Sequence, residues 1–201
     1  MSGSKLKKPV DLCGFPILTV EEELTYVNGH WDTLKKGITY LLTSNKRNVS
    51  YESLYTDTYI IIRQKHGDML YENVIETVTN HLKTNVRPIL ETTTKEKAID
   101  ELIKCYDAYT IAMADVCEVL MYMDKVYVPS RKLESVKDFE LRLFREEIVN
   151  YGPIKEKLKA TMVDLRQKEP VDGASFKQVF EMLTALGVEK EFEATLIVYT
   201  E

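Results

Sequence analysis

The segment Ala98–Val126, AIDELIKCYDAYTIAMADVCEVLMYMDKV, decides the fold. Within it Ala98, Leu102, Cys105, Tyr109, Ala112, Val116, Val119, Met123 and Val126 follow one another at alternating steps of four and three residues. That spacing gathers the side chains into one stripe of a helix about thirty residues long, and the stripe is buried only if other helices lie against it. The segment is therefore read as the spine of an all-α protein, and Pro129 with Ser130 is expected to end it.

Outward toward the N-terminus, three amphipathic helices precede the spine. From Leu24 the residues Val27, Trp31, Leu34, Ile38, Leu41 and Leu42 step by three and four, with Trp31 as a core anchor. The segment NKRNVS breaks this helix, and Ser50 can cap the next, SYESLYTDTYIII, which runs to about Lys65. The run YIII is ambiguous alone but continuous with that helix. Gly67 is expected to close it and Asp68 to cap a third, carried by Leu70, Val74, Val78 and Leu82 with Ile75, Val86 and Ile89. Pro88 is expected to disturb its last turn.

Beyond the spine, FELRLFREEIVNYG stops at Gly152-Pro153, and Pro153 suits the first turn of IKEKLKATMVDLRQK. Asp172 can cap SFKQVFEMLTALG, whose Phe176, Val179, Phe180, Leu183 and Leu186 form one face before Gly187 ends it. A short amphipathic tail, VEKEFEATLIVYTE, follows. No strand alternation is convincing anywhere, so the helices pack on one another.

Length and composition bound what such a protein does. A chain of 201 residues, 44% hydrophobic and 29% charged, buries a core without disulfides or metals, and only 8 Gly and 6 Pro leave room for long helices. A net charge of -5 and a pI near 5.4 argue against nucleic acid, and Lys5, Lys7 and Lys8 lie in a Ser/Gly-containing start read as a tail. Cys105 and Cys117, about 18 Å apart on a continuous helix, cannot form a disulfide. An odd cysteine count and no signal peptide suit a reducing cytoplasmic or nuclear compartment. Asp115 and Glu118 interrupt the most apolar stretch, so no membrane span is expected.

Motifs for chemistry are lacking. His30, His66 and His81 have no second ligand at metal spacing, and no phosphate loop, nucleophile elbow, HExxH or CxxC occurs. Glu21-Glu22-Glu23 and Glu146-Glu147 read as solvated faces. No enzyme and no cofactor are expected, which leaves binding. Tyr51, Tyr55 and Tyr59 recur every four residues and form one stripe, while Leu54, Thr58, Ile61 and Ile62 give their helix a second, apolar side. Tyrosine suits interfaces because its ring buries area at small entropic cost while its hydroxyl tolerates water. From the pattern alone, core packing and docking weigh about equally.

Several segments together resemble the N-terminal region of the cullins, the elongated scaffolds of multisubunit ubiquitin ligases. They are FPILTVEEELTYVNGHWDTLKKGI, SYESLYTDTYIIIRQKHGDMLYENVIETVTNHL, MYMDKVYV, LFREEIVNYGPI, and MLTALG followed by FEA, spread from residue 15 to residue 194. The resemblance implies a solenoid of stacked helical repeats: an extension over 1–22, one complete repeat over 23–130 and a truncated second over 131–201. It is nearest to the branch whose first repeat binds BTB-domain substrate adaptors. By that resemblance Tyr51, Glu52, Tyr55 and Tyr59 face the adaptor, joined by Tyr122 and Lys125, while Phe15, Pro16 and Ile17 from the extension fill a groove beside it.

Tyr106 stands where the family usually has tryptophan, a change expected to loosen packing. The family's third repeat, RING-recruiting domain and modified lysine lie beyond the matched segments, so a RING protein is not expected to bind directly. A chain ending at Glu201 would occupy adaptors without delivering ubiquitin and compete with full-length cullin. The alternative is a degenerate helical-repeat protein that has lost adaptor binding and self-associates through an exposed end.

Overall fold

The structure, a computed structural model, describes residues 19–44, 49–167 and 173–196, and among these every regular element is helical. Helix α1 (Val20–Leu42) opens on a capping box. Thr19 Oγ1 accepts from the Glu22 amide at 3.3 Å and the Glu22 carboxylate accepts from the Thr19 amide at 3.1 Å. The box starts the helix one turn before Leu24, where the apolar period begins. Ser50 caps α2 (Tyr51–Arg63) by accepting from the Ser53 amide.

Helix α3 (Gly67–His81) continues through a π turn, Leu82–Val86, into α4 (Arg87–Thr92). The spine is α5 (Ala98–Val119), followed by a second π turn, Met123–Tyr127, and by α6 (Val128–Arg131). Then come α7 (Val136–Phe144) with a third π turn, Arg145–Val149, and α8 (Gly152–Gln167), α9 (Gly173–Ala185) and α10 (Glu189–Leu196). Helix α5 packs against α1 and α2 on one side of the chain order and α7, α8 and α9 on the other, as expected of a spine.

Pro88 disturbs its helix as expected, through the π turn just before it, while the helix at Pro129 runs on to Arg131. Pro88 and Pro129 each follow a π turn, in which the Arg87 amide reaches back to the Leu82 carbonyl and the Val128 amide to the Met123 carbonyl. A π turn leaves one carbonyl without its usual donor, and proline has no donor to give, so the helix passes through. Helix α6 instead stops at Lys132, which takes the left-handed conformation at φ 54°.

Each π turn also inserts one residue and shifts the buried stripe by one. Val126, expected in the core, is 46% exposed while Tyr127 is 8% exposed. Ile89 is 45% exposed while Leu90 is 3% exposed. The remaining seam residues of α5 are buried, with Cys105 partly so.

Gly67 does not close α2. Lys65 takes the left-handed turn at φ 64°, and Gly67 is the first residue of α3. A Cβ there would lie 2.3 Å from Cε2 of Tyr127, so the glycine exists for close approach. The Tyr127 hydroxyl donates to the Asp68 carboxylate, which sits in the first turn and not at the cap. Within α9, Val179, Leu183 and Leu186 are buried as expected, but Phe180 is 44% exposed and Met182 takes its place. Gly187, at φ 66°, ends α9 with the Val188 amide bonded to the Leu183 carbonyl. Asp172 and the Phe176 side chain lie outside the described residues.

Candidate functional site

Helix α2 divides into two faces. Leu54, Asp57, Thr58 and Ile61 are buried, and beside them Tyr51, Tyr55 and Tyr59 are partly exposed, with Glu52 exposed further round. At about 100° per residue, Tyr51, Tyr55 and Tyr59 lie roughly 60°, 100° and 140° around the helix from Leu54, so they flank the buried stripe on one side. Gly37 of α1 lets α2 in closely, since a Cβ there would sit 2.4 Å from a methyl of Leu54.

Two contacts bring α2 and the end of α5 onto one surface. The Tyr51 hydroxyl donates to Oδ1 of Asp115 at 2.9 Å. Burial, then that bond and the charges of Asp115 and Glu118, push the Tyr51 phenol up to about 12. The Tyr59 ring meets the Tyr122 ring edge to face, with centroids 4.8 Å apart and planes at 71°. Tyr122 is partly exposed and Lys125 is exposed on the same stretch. The structure thus joins Tyr59 of α2 to Tyr122 and ties Tyr51 to α5, with Glu52 and Tyr55 on the same helix as Tyr59 and Lys125 three residues past Tyr122, while Phe15, Pro16 and Ile17 lie outside the described residues.

Sequence reasoning missed what holds this face in place. His30 of α1 pairs through Nδ1 with Oδ1 of buried Asp57 at 2.6 Å, and the Tyr26 ring stacks edge-on against His30 at 4.5 Å. His66 likewise reaches Glu23 at 3.2 Å. A polar residue on the apolar side of α2 was the available signal, but its partner lies 27 residues away and no local spacing reveals it. Ile111 in α5 and Met121 just after it are exposed, and they too were not singled out.

The face offers rings with polar tips and an acidic and a basic side chain. Among the described residues no three His, Cys, Asp or Glu side chains gather to hold a metal ion. Burial pushes the Cys105 and Cys117 thiols up to about 11, away from nucleophilic behaviour. No helix among the described residues is long and apolar enough to cross a membrane.

Stacked helices around one spine, with a tyrosine face on the second helix, define a helical-repeat protein. The chain belongs to the cullin family, whose alpha solenoid domain matches residues 31–201. It is 34% identical over 180 residues to cullin-3 of Dictyostelium discoideum, covering 85% of this chain and 23% of that protein. It is 30% identical over 175 residues to cullin-3A of Arabidopsis thaliana, covering 84% and 24%. Cullin-3 of Caenorhabditis elegans is 26% identical over 190 residues, covering 89% and 24%. The chain spans about a quarter of the length of these relatives.

Proposed function

We propose that this protein binds BTB-domain adaptors through the face formed by α2 and the end of α5, and acts in the ubiquitin ligase assemblies that such adaptors serve. The observation that carries the reading is the Tyr59–Tyr122 contact, which joins the two elements into one continuous surface. Tyr55, partly exposed between Tyr51 and Tyr59, is the central anchor. Glu52 and Lys125 form a charged rim that selects orientation more than strength. Phe15, Pro16 and Ile17 supply a second, apolar anchor on the adaptor.

An adaptor held by this face is closed to any other cullin that uses the same face, so an excess of this chain lowers ligase output. Truncating Tyr55 tests the reading. Tyr55→Ala weakens adaptor binding by roughly 2 kcal/mol, or about thirty-fold in Kd by calorimetric titration. Unchanged affinity in a folded variant would remove Tyr55 from the interface.

A further inference from the structure

Glu140 is the one charged side chain of α7 with no solvent exposure, at 0%. Both its oxygens lie 3.1 Å from Nζ of Lys137, one turn earlier, and that lysine is 61% exposed. Helix α5 closes the other side. The Tyr109 hydroxyl donates to the Glu140 backbone carbonyl at 3.1 Å, and Tyr106 and Cys117 lie within the field of the Glu140 charge. From α3, Tyr71 covers the neighbouring Phe139 ring at 5.9 Å, and Asp124 accepts from the Val136 amide at the start of α7.

A buried carboxylate whose only cationic partner among the described residues is mostly in water is held by a contact that solvent reaches. We propose that Lys137 and Glu140 form a charge-sensitive latch on the α5–α7 joint, and that neutralising Lys137 loosens α7 from α5. Lys137 is then a regulatory position: any modification that removes its charge leaves Glu140 ionised and buried without a counter-charge. The Glu140 carboxyl is already held above the ordinary carboxylate range, chiefly by burial and against the pull of Lys137. Its folded state binds the proton more tightly than the unfolded state. Its contribution to stability is therefore fully present below about pH 4.5 and falls as pH rises through the folded value.

Cys117 reports the joint from the α5 side. Lys137 lowers and Glu140 raises the Cys117 thiol, so a purely electrostatic effect of Lys137→Gln would slow its alkylation by a neutral reagent. Opening of the joint would speed it. The experiment measures Cys117 alkylation by mass spectrometry at pH 8, and melting temperature from pH 4.5 to 8, for wild type, Lys137→Gln, Lys137→Arg, Glu140→Gln and the double variant. The latch requires Lys137→Gln to speed alkylation about ten-fold or more and Lys137→Arg to stay within about two-fold, with rates scaling with open population. In the Glu140→Gln background Lys137→Gln has no further effect, and the wild-type melting temperature falls relative to Glu140→Gln as pH rises. Slower or unchanged alkylation in Lys137→Gln, an equal speeding in both backgrounds, or a pH-independent difference from Glu140→Gln would overturn the proposal.

Discussion

At the scale of single residues, the pairs that fix the tyrosine face of α2 are long-range and mostly polar. Gly67 is the clearest case of a residue whose identity is set by a neighbour far along the chain, the Tyr127 ring that occupies the space of a side chain. Gly67→Ala is expected to cost about 1–3 kcal/mol in urea unfolding despite the better helix propensity of alanine, because an aromatic ring must move. A neutral or stabilising result would show that Tyr127 has room to give. Read locally, Gly67 resembles a helix stop, since glycine serves turns and close approaches alike. The same limit hid Asp57, whose partner His30 sits on another helix.

At the scale of elements, the apolar periods made the helices legible and the π turns displaced their ends. Val27 through Leu42, Leu70 through Leu82 and Ala98 through Met123 were readable because their burial repeats every three or four residues. Val126 and Ile89 were misread because each lies past an inserted residue that the period does not record. Phe180 was misread for a different reason: its helix buries Met182 instead, and hydrophobicity alone does not order two adjacent faces.

The tie between α2 and α5 belongs to this scale. Tyr51→Phe removes its hydrogen bond to Asp115 and is expected to lower stability by about 1 kcal/mol. Because burial and the Asp115 bond push the folded phenol up to about 12 from its ordinary 10.0, the native state holds this proton more tightly, and stability falls as pH rises from 10.0 toward 12. Urea midpoints across that range should fall less steeply for Tyr51→Phe than for wild type. Parallel slopes would mean that the bond does not persist in solution.

For the molecule as a whole, one helical repeat is joined to part of a second by side chains that serve as helix caps. Nζ of Lys157 on α8 donates to the Leu90, Glu91 and Thr93 carbonyls at 2.7–2.8 Å, closing the end of α4. Arg87 donates to the Glu147 carbonyl and carboxylate and lies 3.9 Å over the Tyr151 ring. Lys157→Met is expected to cost roughly 2 kcal/mol and to raise amide exchange in α4 and α8 more than in α1 and α2. Uniform protection loss would place the capping contacts within one cooperative unit.

The all-α architecture and the gathering of the tyrosines with Tyr122 were legible from period and resemblance. The way α5 packs on both the tyrosine helix and the helices of the second repeat was not, because it depends on contacts between helices distant in sequence. The central claim is that this face binds BTB adaptors, and calorimetric titration of the chain against a panel of BTB domains, with Glu52→Lys as matched control, tests it most directly. The account predicts binding near or below about 1 μM, roughly -8 kcal/mol, to at least one domain, abolished by the charge reversal. No binding to any member by the folded, monomeric chain, or binding indifferent to Glu52→Lys, would contradict it.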